Sequence, residues 1–305
     1  MSPLRGIALK LTAVFLFMIM ASLIKATADV VPPGEAVFFR SFFAIPVILV
    51  WLVLQGEVAT GLRVKSRWGH FWRGASGAAA MVLSFASLGM LPLPEVTAIG
   101  YAAPLITVAL AAWLLGERVR LFRWSMVLVG LVGVLIVLSP RLSIGSDVER
   151  LAAIGAALAL ASAALRSLAQ VYIRKLVQFE TTSSIVFYFS LTCTLLSLVT
   201  LPWGWVMPGP ADAAMLIGAG IVGGIAQIFL TTAYRHAPAS LIAPFDYASM
   251  LFALIIGYVV FEEVPTAVML AGSTVVIGAG VAIIWRERAL GLKRGTARSL
   301  KSPHG

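Results

Sequence analysis

The chain has 305 residues, of which 60% are apolar and 12% charged, with a mean hydropathy of +0.97 and a formal net charge of +10. A water-soluble domain carries about 25% charged residues, so this composition excludes one and indicates an integral membrane protein. One cysteine (Cys193) and three scattered histidines exclude a disulfide framework and a cysteine- or histidine-rich metal cage.

A helix crossing a bilayer needs about 20 mostly apolar residues. Ten stretches qualify, at roughly 5–27, 34–54, 71–90, 94–115, 122–138, 151–173, 182–201, 212–234, 239–260 and 266–285. They are apolar all round, unlike the alternating strands of a barrel. The first ends on Ala26-Thr27-Ala28, which resembles a signal-peptidase site. It is too long for a signal core and Lys25 sits beside the supposed cut, so it reads as a retained helix. The expected fold class is all-α, a polytopic membrane protein of ten transmembrane helices.

Basic residues alternate by loop. With the N-terminus inside, the inner segments hold Arg5 and Lys10, the group Arg63 to Arg73, Arg118 to Arg123, Arg174 and Lys175, Arg235, and the tail from Arg286. The outer ones hold Arg141 and Arg150. Such asymmetry places both termini in the cytoplasm of a bacterial inner membrane. Nucleic acid is not an expected partner, because that needs a continuous basic face on a soluble fold.

The chain also overlays on itself. Offset by 149, Ala36-Val37-Phe38-Phe39-Arg40-Ser41 lies over Ile185-Val186-Phe187-Tyr188-Phe189-Ser190, and Lys25 over Arg174. Offset by 145, Trp113 to Val119 lies over Tyr258 to Val264. Residues 1–140 and 148–286 therefore read as two five-helix repeats, with 287–305 a basic cytoplasmic tail. An odd number of spans turns the second copy upside down, the architecture of secondary transporters.

Three stretches resemble the EamA branch of the drug/metabolite transporter superfamily: Pro33 to Arg40, Gly89 to Ala98 running on to Gly116-Glu117, and Ala237-Pro238-Ala239-Ser240-Leu241 running on to Phe261-Glu262-Glu263. The resemblance implies ten helices around a central cavity that moves small organic metabolites. The Phe-Phe-Arg-Ser-Phe-Phe run at 38–43 and the Leu-Pro-Leu-Pro-Glu run at 91–95 resemble alphaproteobacterial members that import riboflavin. Riboflavin uptake is thus the expected activity. Export or exchange of amino acids, S-adenosylmethionine or nucleosides is the alternative within the class, and a channel or non-transporting scaffold the alternative outside it.

Charges at bilayer depth face a cavity or a partner. Arg40 lies about 10 Å into its span, where it contacts substrate oxygens or pairs with Glu35 or Asp246. Asp246 follows Pro244, and Pro104 interrupts the matching helix of the first copy; broken helices in corresponding places point to a midplane site. Asp246 is the candidate proton-coupling carboxylate, or else pairs with Arg40 or Arg166. Arg166 lines the inner vestibule or reaches the interface. Glu35 and Glu95 start helices, so they cap them or gate the outer side. Tyr101 and Tyr247 fall nearly opposite one another in the overlay, where two rings could stack on a flat substrate. Thr97, Gln170 and Gln227 supply polar contacts to substrate or between helices. Gly220 and Gly224 form a GxxxG spacing suited to a homodimer contact.

Enzyme activity is not expected. Gly74-Ala75-Ser76-Gly77 matches a rhomboid-type serine motif, but no histidine lies deep in a helix to activate the serine. No phosphate-binding loop is present to drive a primary pump. Neither metal nor cofactor is implied; the expected partners are a small-molecule substrate and the lipid bilayer.

Overall fold

The computed structural model describes residues 3–56, 61–114, 121–141, 147–176, 179–236 and 243–299. Twelve α-helices and no strand occur among them. The first span is α1 (Pro3–Ala26). The second breaks into α2 (Pro33–Phe42) and α3 (Ala44–Leu54), because Pro46 has no amide hydrogen to offer the Phe42 carbonyl. Next come α4 (Arg67–Leu88), α5 (Leu93–Gly100), α6 (Ala102–Leu114) and α7 (Leu121–Leu138). The second half holds α8 (Asp147–Leu176), α9 (Thr182–Ser197), α10 (Pro210–His236), α11 (Ala248–Phe261) and α12 (Ala267–Ser299). A 3-10 turn, Ala243–Tyr247, leads into α11.

Six helical stretches are long and apolar enough to cross a membrane: 4–26, 33–54, 149–173, 182–200, 210–233 and 267–286. Trp124–Leu138 and Phe245–Phe261 are apolar but shorter. The expected spans 71–90 and 94–115 fall outside both groups. Arg67, His70 and Arg73 crowd the first turns of α4, and the other is divided into α5 and α6. The tenth stretch extends past its expected end at 285, since the basic run beyond it is itself helix-forming.

Pairing among helices is reciprocal. α1 lies along α10 and α4 along α8. α4 packs on α9, while α2 and α3 pack on α10; α7 runs beside α12, and α5 beside α11. Small residues set the close approaches. A Cβ at Gly74 would stand 2.5 Å from Thr192 and one at Gly77 2.5 Å from Phe189. A Cβ at Gly220 would stand 2.6 Å from Phe43, and one at Gly223 3.3 Å from Arg40 Nε. A Cβ at Gly224 would lie 3.1 Å from Ala44. The GxxxG face expected to serve a homodimer is thus occupied within the chain by α2 and α3.

Loops meet at two ends of the bundle. The end carrying the N-terminus, called proximal here, holds the connections around 55–66 and 179–181; the distal end holds those around 27–32, 89–92, 198–209 and 262–266. The core between them contains Ile24, Val37, Leu93, Ile99, Leu105 and Leu216.

Candidate substrate-binding site

Two helix breaks meet in the interior. Pro104 cannot donate to the Gly100 carbonyl, so α5 stops there and α6 resumes at Ala102, leaving Tyr101 at the break. On the other side Tyr247 closes the 3-10 turn that contains Pro244 and opens α11. The two rings stand edge to face, with centroids 5.1 Å apart. The Tyr101 hydroxyl donates to the Tyr247 carbonyl at 3.2 Å and shares a 2.8 Å bond with Ser249 Oγ. Ser249 in turn donates to the Asp246 carbonyl at 2.6 Å. The Tyr247 hydroxyl lies where a Cβ at Gly280 of α12 would be, so only glycine fits there.

Asp246 does not pair with Arg40 or Arg166. Its partner is Lys10 of α1, with Nζ 2.6 Å from Oδ1. The lysine is 2% exposed and the aspartate 46%, so one end of the pair is sealed and the other is wet. Lys10 was expected among the topology-setting charges of the inner segment. It lies seven residues past Pro3, about 10 Å along α1, which is the signal that could have revealed it. Arg166 is exposed and its Nη1 would lie 3.6 Å from a Cβ at Gly100, beside the α5 break. Asp246 acts electrostatically on Arg166, Tyr101 and Tyr247 alike. One exposed cation, one ion pair and two phenol rings therefore share one site.

Other expected site residues lie elsewhere. Thr97 is half-buried and spends its hydroxyl on the Leu93 carbonyl at 2.8 Å. Gln170 is exposed one turn beyond Arg166, and Gln227 is half-buried in α10. Arg40 pairs with neither Glu35 nor Asp246; it is buried against Phe189, 5.6 Å from the ring centroid. Glu95 is buried in the first turn of α5. Glu35 is in the first turn of α2, but its Oε2 accepts from the Val206 amide at 3.0 Å and so ties two distal connections together. The Gly116-Glu117 and Ala237 to Leu241 motif segments lie outside the described residues.

Two latches were not anticipated. Distally, Lys25 Nζ is 3.0 Å from Glu263 Oε1 and donates to the Leu88 and Leu91 carbonyls at 3.0 and 2.8 Å. Glu263 Oε2 also accepts from the Leu93 amide at 2.8 Å. Glu262, in the left-handed region at φ 55°, ends α11 and turns the chain so that Glu263 faces inward. Proximally, Glu180 Oε1 accepts from the amides of Lys65 and Ser66, both at 2.8 Å, with His70 Nε2 3.5 Å away. Thr181 donates to the Gly61 carbonyl at 2.9 Å, and Tyr188 to that of Leu62 at 3.2 Å. The sequence pairs none of these residues, because partners 63 or more positions apart leave no local pattern.

The chain is similar to known proteins over nearly its whole length. Residues 4–139 and 153–286 each match the EamA-like transporter family. The chain is 29% identical over 279 residues to the Pseudopaline exporter CntI of Pseudomonas aeruginosa (strain UCBPP-PA14), covering 91% of this chain and 95% of that protein. It is 28% identical over 254 residues to the S-adenosylmethionine uptake transporter of Rickettsia prowazekii (strain Madrid E), covering 83% of each. A solved crystal structure shares the fold, with a TM-score of 0.67 and 21% identity over 93% of this chain and 98% of that one. The chain belongs to the EamA-like transporter family and is a multi-pass membrane transporter of the drug/metabolite type.

Proposed function

We propose that the chain is a secondary transporter that carries a zwitterionic, ring-bearing metabolite by alternating access. In this reading it makes ten crossings as two inverted five-helix repeats, 1–140 and 148–286, with the 287–305 tail and both termini in the cytoplasm. Three observations support the repeat. The family match falls once in each half. Exchanging the halves turns the α1–α10 contact into α8–α4, and α4–α9 into α10–α2. Gly74 and Gly77 meet Thr192 and Phe189, while Gly220 and Gly223, 146 positions on, meet Phe43 and Arg40, 149 positions earlier than Thr192 and Phe189. The basic residues of the inner segments support the orientation.

The observation that carries the substrate class is the meeting of Tyr101 and Tyr247 at two helix breaks, beside the Lys10–Asp246 pair and Arg166. Unwound segments at bilayer depth are tolerated where they line a cavity, and transporters bind substrate at such breaks. Arg166 suits a carboxylate, Asp246 an ammonium or sulfonium, and the phenol pair a flat heterocycle. S-Adenosylmethionine has all three groups. The riboflavin expectation draws no support from either relative, and riboflavin lacks the ammonium and carboxylate this site would use. Both import and export occur among the relatives, so direction follows the gradient and coupling. Glu35 and Glu95 stay outside the site as distal gate residues.

The test is counterflow in proteoliposomes preloaded with unlabelled S-adenosylmethionine. We expect saturable accumulation of labelled S-adenosylmethionine, reduced at least tenfold in a Tyr101→Ala, Tyr247→Ala double variant that still folds. Equal counterflow by the double variant would overturn the site. Absence of counterflow in wild type, with riboflavin or a nucleoside active instead, would overturn the substrate class.

A further inference from the structure

Arg40 of α2 and Arg73 of α4 are 2% and 4% exposed. Both guanidiniums sit over the ring of Phe189 in α9, with Cζ 5.6 and 3.3 Å from the centroid. Nε and Nη1 of each have no hydrogen-bond partner. Neither arginine has an ion-pair partner among the described residues. The two are also close enough to repel each other. Arginine does not shed its proton in a protein, so burial leaves two like charges around one ring. A phenyl face offsets part of one cation; it does not satisfy four N–H-bearing nitrogens, which buried polar groups require.

Small residues and a cavity lie beside the pair. α4 and α10 present glycines to the two guanidiniums: a Cβ at Gly77 would lie 3.5 Å from Arg73 Nη1, and one at Gly223 3.3 Å from Arg40 Nε. A cavity of about 200 Å³ opens at the junction of the same three helices, lined among others by Val37 of α2, Ala78 of α4 and Ser197 of α9. One water takes about 30 Å³ of the liquid, so the volume admits a small ion or a single acid group. Neither arginine lines the cavity, but Val37 precedes Arg40 by three residues and the lining residue Ala75 follows Arg73 by two, which puts the cavity within a turn of both charges.

We propose that Arg40 and Arg73 together bind a compact monoanion, a halide or a carboxylate group, at the α2–α4–α9 junction. The anion neutralises the pair and takes up the free N–H donors, and the planar fork of each guanidinium suits either shape. This site is separate from the tyrosine site. Neither arginine is paired with Asp246, and the inference stands whatever metabolite is carried.

The experiment uses the full chain in lipid nanodiscs, with melting followed in sodium HEPES against sodium bromide or sodium acetate at equal ionic strength. Wild type is expected to gain about 2–4 °C, saturably, with at least one of the two anions. Arg40→Met and Arg73→Met should each lose that gain, and in sodium HEPES should melt no lower than wild type, since each removes an uncompensated charge. A response to bromide alone assigns a halide drawn from solution. A response to acetate that the transported substrate leaves unchanged assigns a small carboxylate drawn from solution, and one abolished by the substrate would overturn the separation from the tyrosine site. Because a variant can fail to fold, bromide is also located in wild type by anomalous scattering, where a peak between the two guanidiniums is expected. A wild type indifferent to both anions, a saturable gain kept by either variant, or bromide absent from the junction would overturn the proposal.

Discussion

The two ends of the bundle are fastened by different chemistry. Distally, a lysine and a glutamate, each 14% exposed, form an ion pair that also gathers two carbonyls and an amide, so the ends of α1 and α11 and the α4–α5 connection are bound together. Proximally, Glu180 accepts two amide bonds and joins just two connections. Exposure does not follow the same division: the Glu180 side chain is 1% exposed, less than either member of the distal pair. The difference teaches that the distal end is held by a charge network reaching three segments, and the proximal end by a carboxylate bound to main-chain amides that reaches two.

Three variants would break or sharpen that contrast. The largest effect is expected from Asp246→Asn, which takes the carboxylate away from the buried Lys10 ammonium; losing one partner of a buried pair costs about 3–5 kcal/mol, and less here because Asp246 is 46% exposed. Proton-driven uptake into proteoliposomes should vanish and the melting temperature fall. Adding Lys10→Met should restore melting but not uptake, and recovery of uptake would remove Asp246 from coupling. Next is Lys25→Met, which dissolves the distal network. At about 1.4 kcal/mol per decade, even a modest share of that network raises distal opening roughly tenfold, read as faster maleimide labelling of a Thr97→Cys reporter. Unchanged labelling would mean the network does not gate. The smallest effect is Glu180→Gln, which turns two charge-assisted bonds into neutral ones worth about 1 kcal/mol less. Labelling at Thr97→Cys should then rise by a few-fold at most, the same sign as Lys25→Met but smaller, because the proximal tie is also formed in this conformation and weakening it favours any other.

Much of this architecture was legible in the sequence. Apolar runs outlined the helices, and the overlay set Tyr101 opposite Tyr247 before their rings were found 5.1 Å apart. Pro104 marked the α5–α6 break, since a missing amide hydrogen is a local fact. The partners of the charges were not legible. Lys10 looked like a topology charge because a positive-inside tally counts residues without asking how deep they lie. Arg73, tallied with the same loops, is in fact buried with Arg40. Glu263 looked like a loop acid; it is turned inward by the left-handed Glu262, and that conformation is unusual for a glutamate. The break between α2 and α3 could have been read from Pro46, as that at Pro104 was.

At each end one carboxylate accepts from main-chain nitrogen: Glu35 from the amide of Val206, Glu180 from those of Lys65 and Ser66. Chemical identity therefore matters on one side of each contact and hardly at all on the other. Positions 65 and 206 should tolerate almost any replacement, with proline the exception because it brings no hydrogen to share; Ser66 is more constrained, since its hydroxyl also caps α4 by accepting from the Gly69 amide at 3.3 Å. Glutamates 35 and 180 have no such latitude, since aspartate is too short to span the same gap and glutamine carries no charge. Variation among natural or engineered versions of this transporter should accordingly be lopsided, dense on the receiving strands of chain and sparse at the two acids.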